Sequence, residues 1–423
     1  MVMKRALLLS VIVFSSISIS SIAFAEGDHS KDSAKSSHMG HHSSDMAVPQ
    51  SFVAPKPYDH RELYEQIKIS CPSQALECYE GELFKITDVH GPKAAMDVFA
   101  ELQKNNEVNE KTDGHHVAHH IGHQIAKSFG PFPETLAMCP KEYNFGCIHG
   151  FFQYSLDAHI SKPEVLAPLC QVIEDDPHAS VKDKVYCFHG LGHGVMMYYK
   201  YDMQRALAYC DAFDTVFGRD GCWQGLFMEN MNGAFDGNWE ETGFSKEDPL
   251  LPCSALEEKH QEQCFINHSS WMIDVFDQDY IKAIEACRKA PSENSQRACI
   301  ESITLMVSNP SFQSVFLSPD ELKKHSVIEN AATICNTFPP DYQDLCVNGA
   351  VDNIANFDDL DLTGTEQLCH LVDERLKPHC FKRIGSNLIN IAHGKDEMRE
   401  ACNSLKEKED VQTCLEGANI NNQ

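Results

Sequence analysis

Ten of the 22 histidines of this 423-residue chain fall between His115 and His193. The densest run is His115-His116-Val117-Ala118-His119-His120-Ile121-Gly122-His123. Superposing Ile121-Gly122-His123 on Leu191-Gly192-His193 places His119 over His189 and His123 over His193. Each becomes an i, i+4 pair, the spacing by which one helix offers two imidazoles to a single metal ion. His149 and Gln153 take the corresponding places in the intervening segment, and Gln224 and Met228 in the following one, so a His/Gln/Met ladder runs over four successive helices. Packed helices lie about 8–10 Å apart, close enough for ligands from neighbours to converge on one ion. The candidate metal ligands are therefore His115, His116, His119, His120, His123, His149, His189, His193 and Met228. Neutral imidazoles suit copper or zinc, and a nearby thioether tilts the choice to copper. The competing reading is a polar stripe, hydrogen-bonded within itself, lining a groove that takes a partner protein.

Other chemistry is poorly supported. H-E-x-x-H, G-x-S-x-G and P-loop patterns do not occur. Haem ranks behind a bare metal ion, and without C-x-x-C-H its covalent attachment is excluded. An enzyme would have to be a histidine-ligated metalloenzyme with Glu229 or Asp157 as acid/base partner, and binding is the leading expectation. Met196, Met197, Met203, Met228 and Met231 recur at helical spacing and read first as core. Asp359-Leu360-Asp361-Leu362-Thr363-Gly364 begins like a calcium loop, but His370 stands where the twelfth-position Glu belongs, which favours a plain turn. The isolated His159, His178, His260, His325, His370, His379 and His393 read as solvated or bonded to backbone carbonyls.

The N-terminal region adds a second histidine cluster. Lys4 and Arg5 precede an apolar stretch, and Ala23-Phe24-Ala25 supplies a small-residue cleavage pattern, so residues 1–25 read as a secretory signal peptide. Residues 26–56 read as a disordered tail in which His29, His38, Met39, His41, His42 and Met46 offer imidazole and thioether donors. The formal charge of -27, from 35 basic and 62 acidic residues, argues against nucleic acid as a partner. No apolar run is long enough for stable membrane insertion. A periplasmic or secreted location follows from the leader and from the cysteines.

The elements that must position these ligands are repetitive. Eighteen cysteines fall into nine close pairs: Cys71/Cys78, Cys139/Cys147, Cys170/Cys187, Cys210/Cys222, Cys253/Cys264, Cys287/Cys299, Cys335/Cys346, Cys369/Cys380 and Cys402/Cys414. First cysteines recur mostly every 31 to 48 residues, and the gap of 68 after Cys71 holds a cysteine-free unit from Pro92 to Gly130, giving about ten units over residues 57–423. In each, a short amphipathic helix precedes the first cysteine, a polar loop follows, and the second cysteine opens another helix. The expected fold is all-α, a solenoid of about ten helical hairpins, nine of them stapled by local disulfides. Gly150, Gly190, Gly225 and Gly349, shortly after the second cysteine, are expected to let neighbouring helices approach closely.

Asp202-Met203-Gln204-Arg205-Ala206 and Asp279-Tyr280-Ile281-Lys282-Ala283 resemble the D-x-x-[KR]-A helix start of Sel1-like relatives of tetratricopeptide repeats, and Leu191-Gly192 resembles their L-G pair. The similarity covers three of the ten units. It implies an α-solenoid used for binding and supplies no catalytic residues.

Overall fold

The computed structural model describes residues 56–420, apart from positions 74, 109, 142, 144, 159, 160, 236, 238 and 359. The leader, the His/Met-rich tail, His159 and Asp359 lie outside the described residues. Among those described, every element is helical.

Ten helices form the second arm of the ten units. They are α1 (Leu76–His90), α2 (Glu110–Phe129), α3 (Gly146–Asp157), α4 (Val181–Tyr198), α5 (Val216–Phe235), α6 (Glu258–Ile266), α7 (Glu293–Thr304), α8 (Gln343–Asp358), α9 (Lys377–Ile391) and α10 (Lys408–Gly417). Each packs on the next, from α1 against α2 through to α9 against α10. Shorter first arms, such as Met203–Cys210 and Tyr280–Cys287, lean on the second arm of their own unit. Asp202 and Asp279 begin these two helices because each side chain accepts from a backbone N–H in the first turn, that of Arg205 and of Lys282. That is ordinary N-capping chemistry at the D-x-x-[KR]-A motif. The cysteine-free unit is likewise a hairpin, Pro92–Lys104 followed by α2.

All nine disulfides join nearest partners. In chain order they are Cys71–Cys78, Cys139–Cys147, Cys170–Cys187, Cys210–Cys222 and Cys253–Cys264. Cys287–Cys299, Cys335–Cys346, Cys369–Cys380 and Cys402–Cys414 follow, and no cysteine is free. Most half-cystines are fully buried within one apolar cluster that runs from Leu63 to Ile420. Each closed loop is short, 7 residues in the first and 17 in the third. Loops of this size contribute roughly 3 kcal/mol each in the chain-entropy view.

Two expectations need correction. The second cysteine does not usually open its helix: α4 starts at Val181 and α7 at Glu293, nearly two turns before Cys187 and Cys299. Cys264 lies close to the C-terminal end of α6, which begins at Glu258, and Cys346 and Cys380 each stand three residues after the first residue of α8 and α9. Ser180 and Asp183 form a reciprocal capping box, and Ser292 accepts from Ser295 N–H, so these two helix starts are set by caps rather than by the staples. In α9 the start is instead marked by Pro378 in the first turn, where its missing N–H costs no hydrogen bond. Contacts are also not confined to sequence neighbours. α9 touches α4, and His393 Nδ1 lies 3.0 Å from the carbonyl oxygen of His178, across 215 residues. No described helix is long and apolar enough to cross a membrane.

Candidate metal centre

The imidazoles converge where α2 meets α3 and α4 meets α5 at close backbone approach. A Cβ at Gly150 of α3 would sit 1.9 Å from the His119 carbonyl oxygen of α2, and one at Gly225 of α5 would sit 1.8 Å from that of His189 on α4. Gly122 and Gly192 face the Cys147 and Cys222 carbonyls of the next helix in the same way. Any side chain at these four positions would force the backbones apart, which outweighs the roughly 1 kcal/mol that glycine costs inside a helix. The matched contacts bear out the backbone register that lays His119 over His189.

Five histidines meet in the resulting pocket. His115 and His119 come from α2, His149 from α3, and His189 and His193 from α4, and they form two potential metal-holding triads with His149 common to both. The ring of His149 lies 5.4 and 5.2 Å from those of His115 and His119, and 4.8 and 5.3 Å from those of His189 and His193. Tyr186 lies nearly parallel to His149, with ring centres 6.0 Å apart. Within each helix the pair is i, i+4, and its two Nε2 atoms are 3.1 Å apart. Two imidazole nitrogens held by one tetrahedral ion at about 2.0–2.1 Å would be ~3.3 Å apart.

The outer nitrogens fix the tautomers. His115 Nδ1 donates to the Tyr143 carbonyl oxygen at 2.7 Å, an atom that can only accept. His119 Nδ1 lies 3.0 Å from Gln153 Oε1, and Gln153 Nε2 donates to Glu229 Oε2 at 3.0 Å, which orients that amide and leaves its oxygen for His119. His193 Nδ1 donates to the same Glu229 oxygen at 2.8 Å, and the Tyr201 hydroxyl donates to Oε1. Burial lowers the pKa of His115 to about 4 and takes His119, His149 and His189 well below 6.5, with neighbouring imidazoles adding to the shift. These rings are therefore neutral. His115 and His119, each carrying its one hydrogen on Nδ1, aim two Nε2 lone pairs at each other. His149, 3% exposed, has no hydrogen-bond partner at either ring nitrogen. A buried imidazole with both nitrogens unsatisfied is costly unless something fills the gap.

The other candidate ligands are placed differently. His116 and His120 point from α2 towards α1, where His116 Nε2 and His120 Nδ1 lie 3.1 and 3.2 Å from Glu80 Oε1. Burial opposes ionisation of Glu80, yet the two imidazoles hold its carboxyl down to about 2. His123 lies beyond the pocket beside His120 and Tyr154, its Nε2 unpaired and its pKa lowered to about 4 by burial. The pair that α2 contributes is thus His115/His119, one turn earlier than the superposition of His119 and His123 on α4 suggests. Met228 is half-buried on α5, and the side chains of that helix that reach the imidazoles are Glu229, at His193, and Gln224, at His189. Of the isolated histidines, His260 is buried against Asp211 at 2.8 Å and His379 faces Asn348, side-chain partners rather than the expected carbonyls, while His370 is exposed, 3.3 Å from Asp410.

Glu80 escapes a reading that looks only for histidine. It stands two residues after Cys78, the offset at which His149 follows Cys147 and His189 follows Cys187, so the repeat register was the available signal. The chain matches no protein-family model, no curated protein and no solved structure.

Proposed function

We propose that the protein is an exported, disulfide-stapled α-solenoid that binds a transition-metal ion, copper in preference to zinc, among His115, His119, His149, His189 and His193. The observation that carries this reading is the donor inventory. Two neutral imidazoles face each other through lone pairs at 3.1 Å, beside a buried imidazole bonded to nothing. A cation turns that repulsion into ligation. Gln153 and Glu229 then act as the outer acceptors that orient metal-bound histidines. An all-nitrogen, uncharged donor set has no hard oxygen in its inner sphere, and such sets follow the order that places Cu(II) above Zn(II). The His/Met-rich tail, His29 to Met46, is proposed to collect the ion for the folded body. Nine disulfides and no free cysteine suit the oxidising periplasmic or secreted location this requires.

The test is copper titration of the full chain, purified without an affinity tag, against His149→Ala. The wild type should bind one tight equivalent more than the variant, and electron paramagnetic resonance of that Cu(II) should show nitrogen coupling. Equal stoichiometry in both proteins would reduce the ladder to a polar groove and leave a protein-binding scaffold in its place.

A further inference from the structure

The side of α2 turned away from the imidazole pocket carries a separate constellation. His116 and His120 are an i, i+4 pair on this helix, and Glu80 projects from α1 between them. His116 Nε2, His120 Nδ1 and a Glu80 carboxylate oxygen all lie within 4.8 Å of one another. Both nitrogens approach the same oxygen, Oε1, at 3.1 and 3.2 Å. Oε1 is buried without a well-formed hydrogen bond, and Glu80 as a whole is only 8% exposed. Two imidazole nitrogens about 3 Å from one carboxylate oxygen are disposed as corners of a coordination polyhedron, whose edges around an ion at about 2.0–2.2 Å have this length. The rings of His116 and His120 are 4.1 Å apart, which keeps both on one side of that point, and Phe84 walls it 6.0 Å from His120.

We infer that Glu80, His116 and His120 form a second metal site, one that takes a divalent cation of the Zn(II) type. Its chemistry differs from that of the pocket on the other side of α2. One carboxylate and two imidazoles make a mixed N2O set of net charge -1, the composition of open zinc sites in which a fourth position is left to water or to an incoming ligand. The pocket around His149 is buried and all-nitrogen, whereas here His116 and His120 keep 18% and 22% of their side-chain surface. Water therefore reaches this ion from the His side, and Glu80 closes it from within.

The site stands on residues that the copper reading does not use, so the two fail separately. Zn(II) added to the full chain should bind to wild type with one equivalent more than to Glu80→Gln, which keeps the shape and removes the charge, or to the His116→Ala/His120→Ala double variant. His149→Ala should retain that equivalent. In the wild type, zinc should also move the 15N resonances of His116 Nε2 and His120 Nδ1, a readout that depends on no variant. A full zinc complement in both Glu80→Gln and the double variant, or unmoved His116 and His120 resonances, would show that Glu80 is only a structural partner of two histidines and would overturn the assignment.

Discussion

The stripe that carries histidines on α2 to α4 has a counterpart on α7 to α9, with shared offsets from cysteine and opposite electrostatics. Two residues after the second cysteine stand His149 and His189 in the first region, and Glu301 and Asn348 in the second, following Cys299 and Cys346. Six residues after it stand His193 in the first and Asp352 in the second. In the later region Arg383 of α9, three residues beyond Cys380, supplies the cation. Its Nη2 donates to Glu301 at 2.7 Å, its Nε donates to Asp352 Oδ1 at 2.7 Å, and Asn387 adds a bond to the same oxygen at 2.8 Å. The guanidinium fork satisfies these acceptors from inside the chain. The earlier pocket has five imidazoles and no comparable internal cation within its described network. One scaffold position is thus used in two ways, closed by the protein itself in one region and, on the proposed reading, left for an external ion in the other.

Acid should separate the two regions most strongly. Burial keeps the folded pKa of His115 and His123 at about 4 and that of His119, His149 and His189 well below 6.5. The unfolded chain titrates near 6.5. Between these values the unfolded state takes up protons that the native state refuses, so the stability is complete above 6.5 and is lost as pH falls towards 4. The loss should be on the order of several kcal/mol, since a single shift of about two units is worth about 2.6 kcal/mol. Hydrogen exchange of metal-free protein at pH 7 and pH 5 should show protection falling in α2, α3 and α4 while α9 and α10 hold. Equal loss in both regions would erase the distinction between them.

Arg383→Met is the converse experiment. It leaves Glu301 and Asp352 half-buried without their cation, and burial already pushes the Glu301 carboxyl up. Breaking such a pair from one side should cost about 1–3 kcal/mol, below the fully buried range because all three groups keep some solvent contact. Chemical denaturation measures the cost, and copper stoichiometry should not change. A metal-binding defect in this variant would mean that the two stripes are coupled, for which the α4–α9 contact supplies a route.

What the sequence discloses of this comparison follows from interaction range. The staples are local, so cysteine spacing alone specifies all nine pairs, but not the first arms: only the four-residue helix Pro133–Leu136 precedes Cys139, and Cys253 opens a short 3-10 turn. Helix starts are legible from Ser180 and Asp183 once capping is weighed above cysteine position. The choice of His115/His119 over His119/His123 is not, because it is decided by which turn of α2 faces His149 of α3. Nor is Arg383 legible as a partner of Glu301, 82 residues away. The contact of His393 with His178 is harder still, because it joins residues 215 apart in the chain.

The smallest expected effect is also the most discriminating. Glu229 accepts from His193, Gln153 and Tyr201, and through Gln153 it is linked to His119, so one carboxylate orients a member of each imidazole pair. Replacing it by glutamine preserves volume and one acceptor oxygen. It removes the second carboxylate oxygen, and it brings an NH2 group to a place where Gln153 and Tyr201 both present hydrogens. If an ion sits among the Nε2 atoms, Glu229 is its outer-sphere partner, and Glu229→Gln should weaken copper by about 10–100-fold with stoichiometry unchanged. Competition against a chelator of known affinity measures this, and a thermal midpoint close to wild type excludes misfolding. Unchanged copper affinity would place Glu229 in a self-sufficient network like that of Arg383, and the imidazole pocket would then be closed by its own hydrogen bonds.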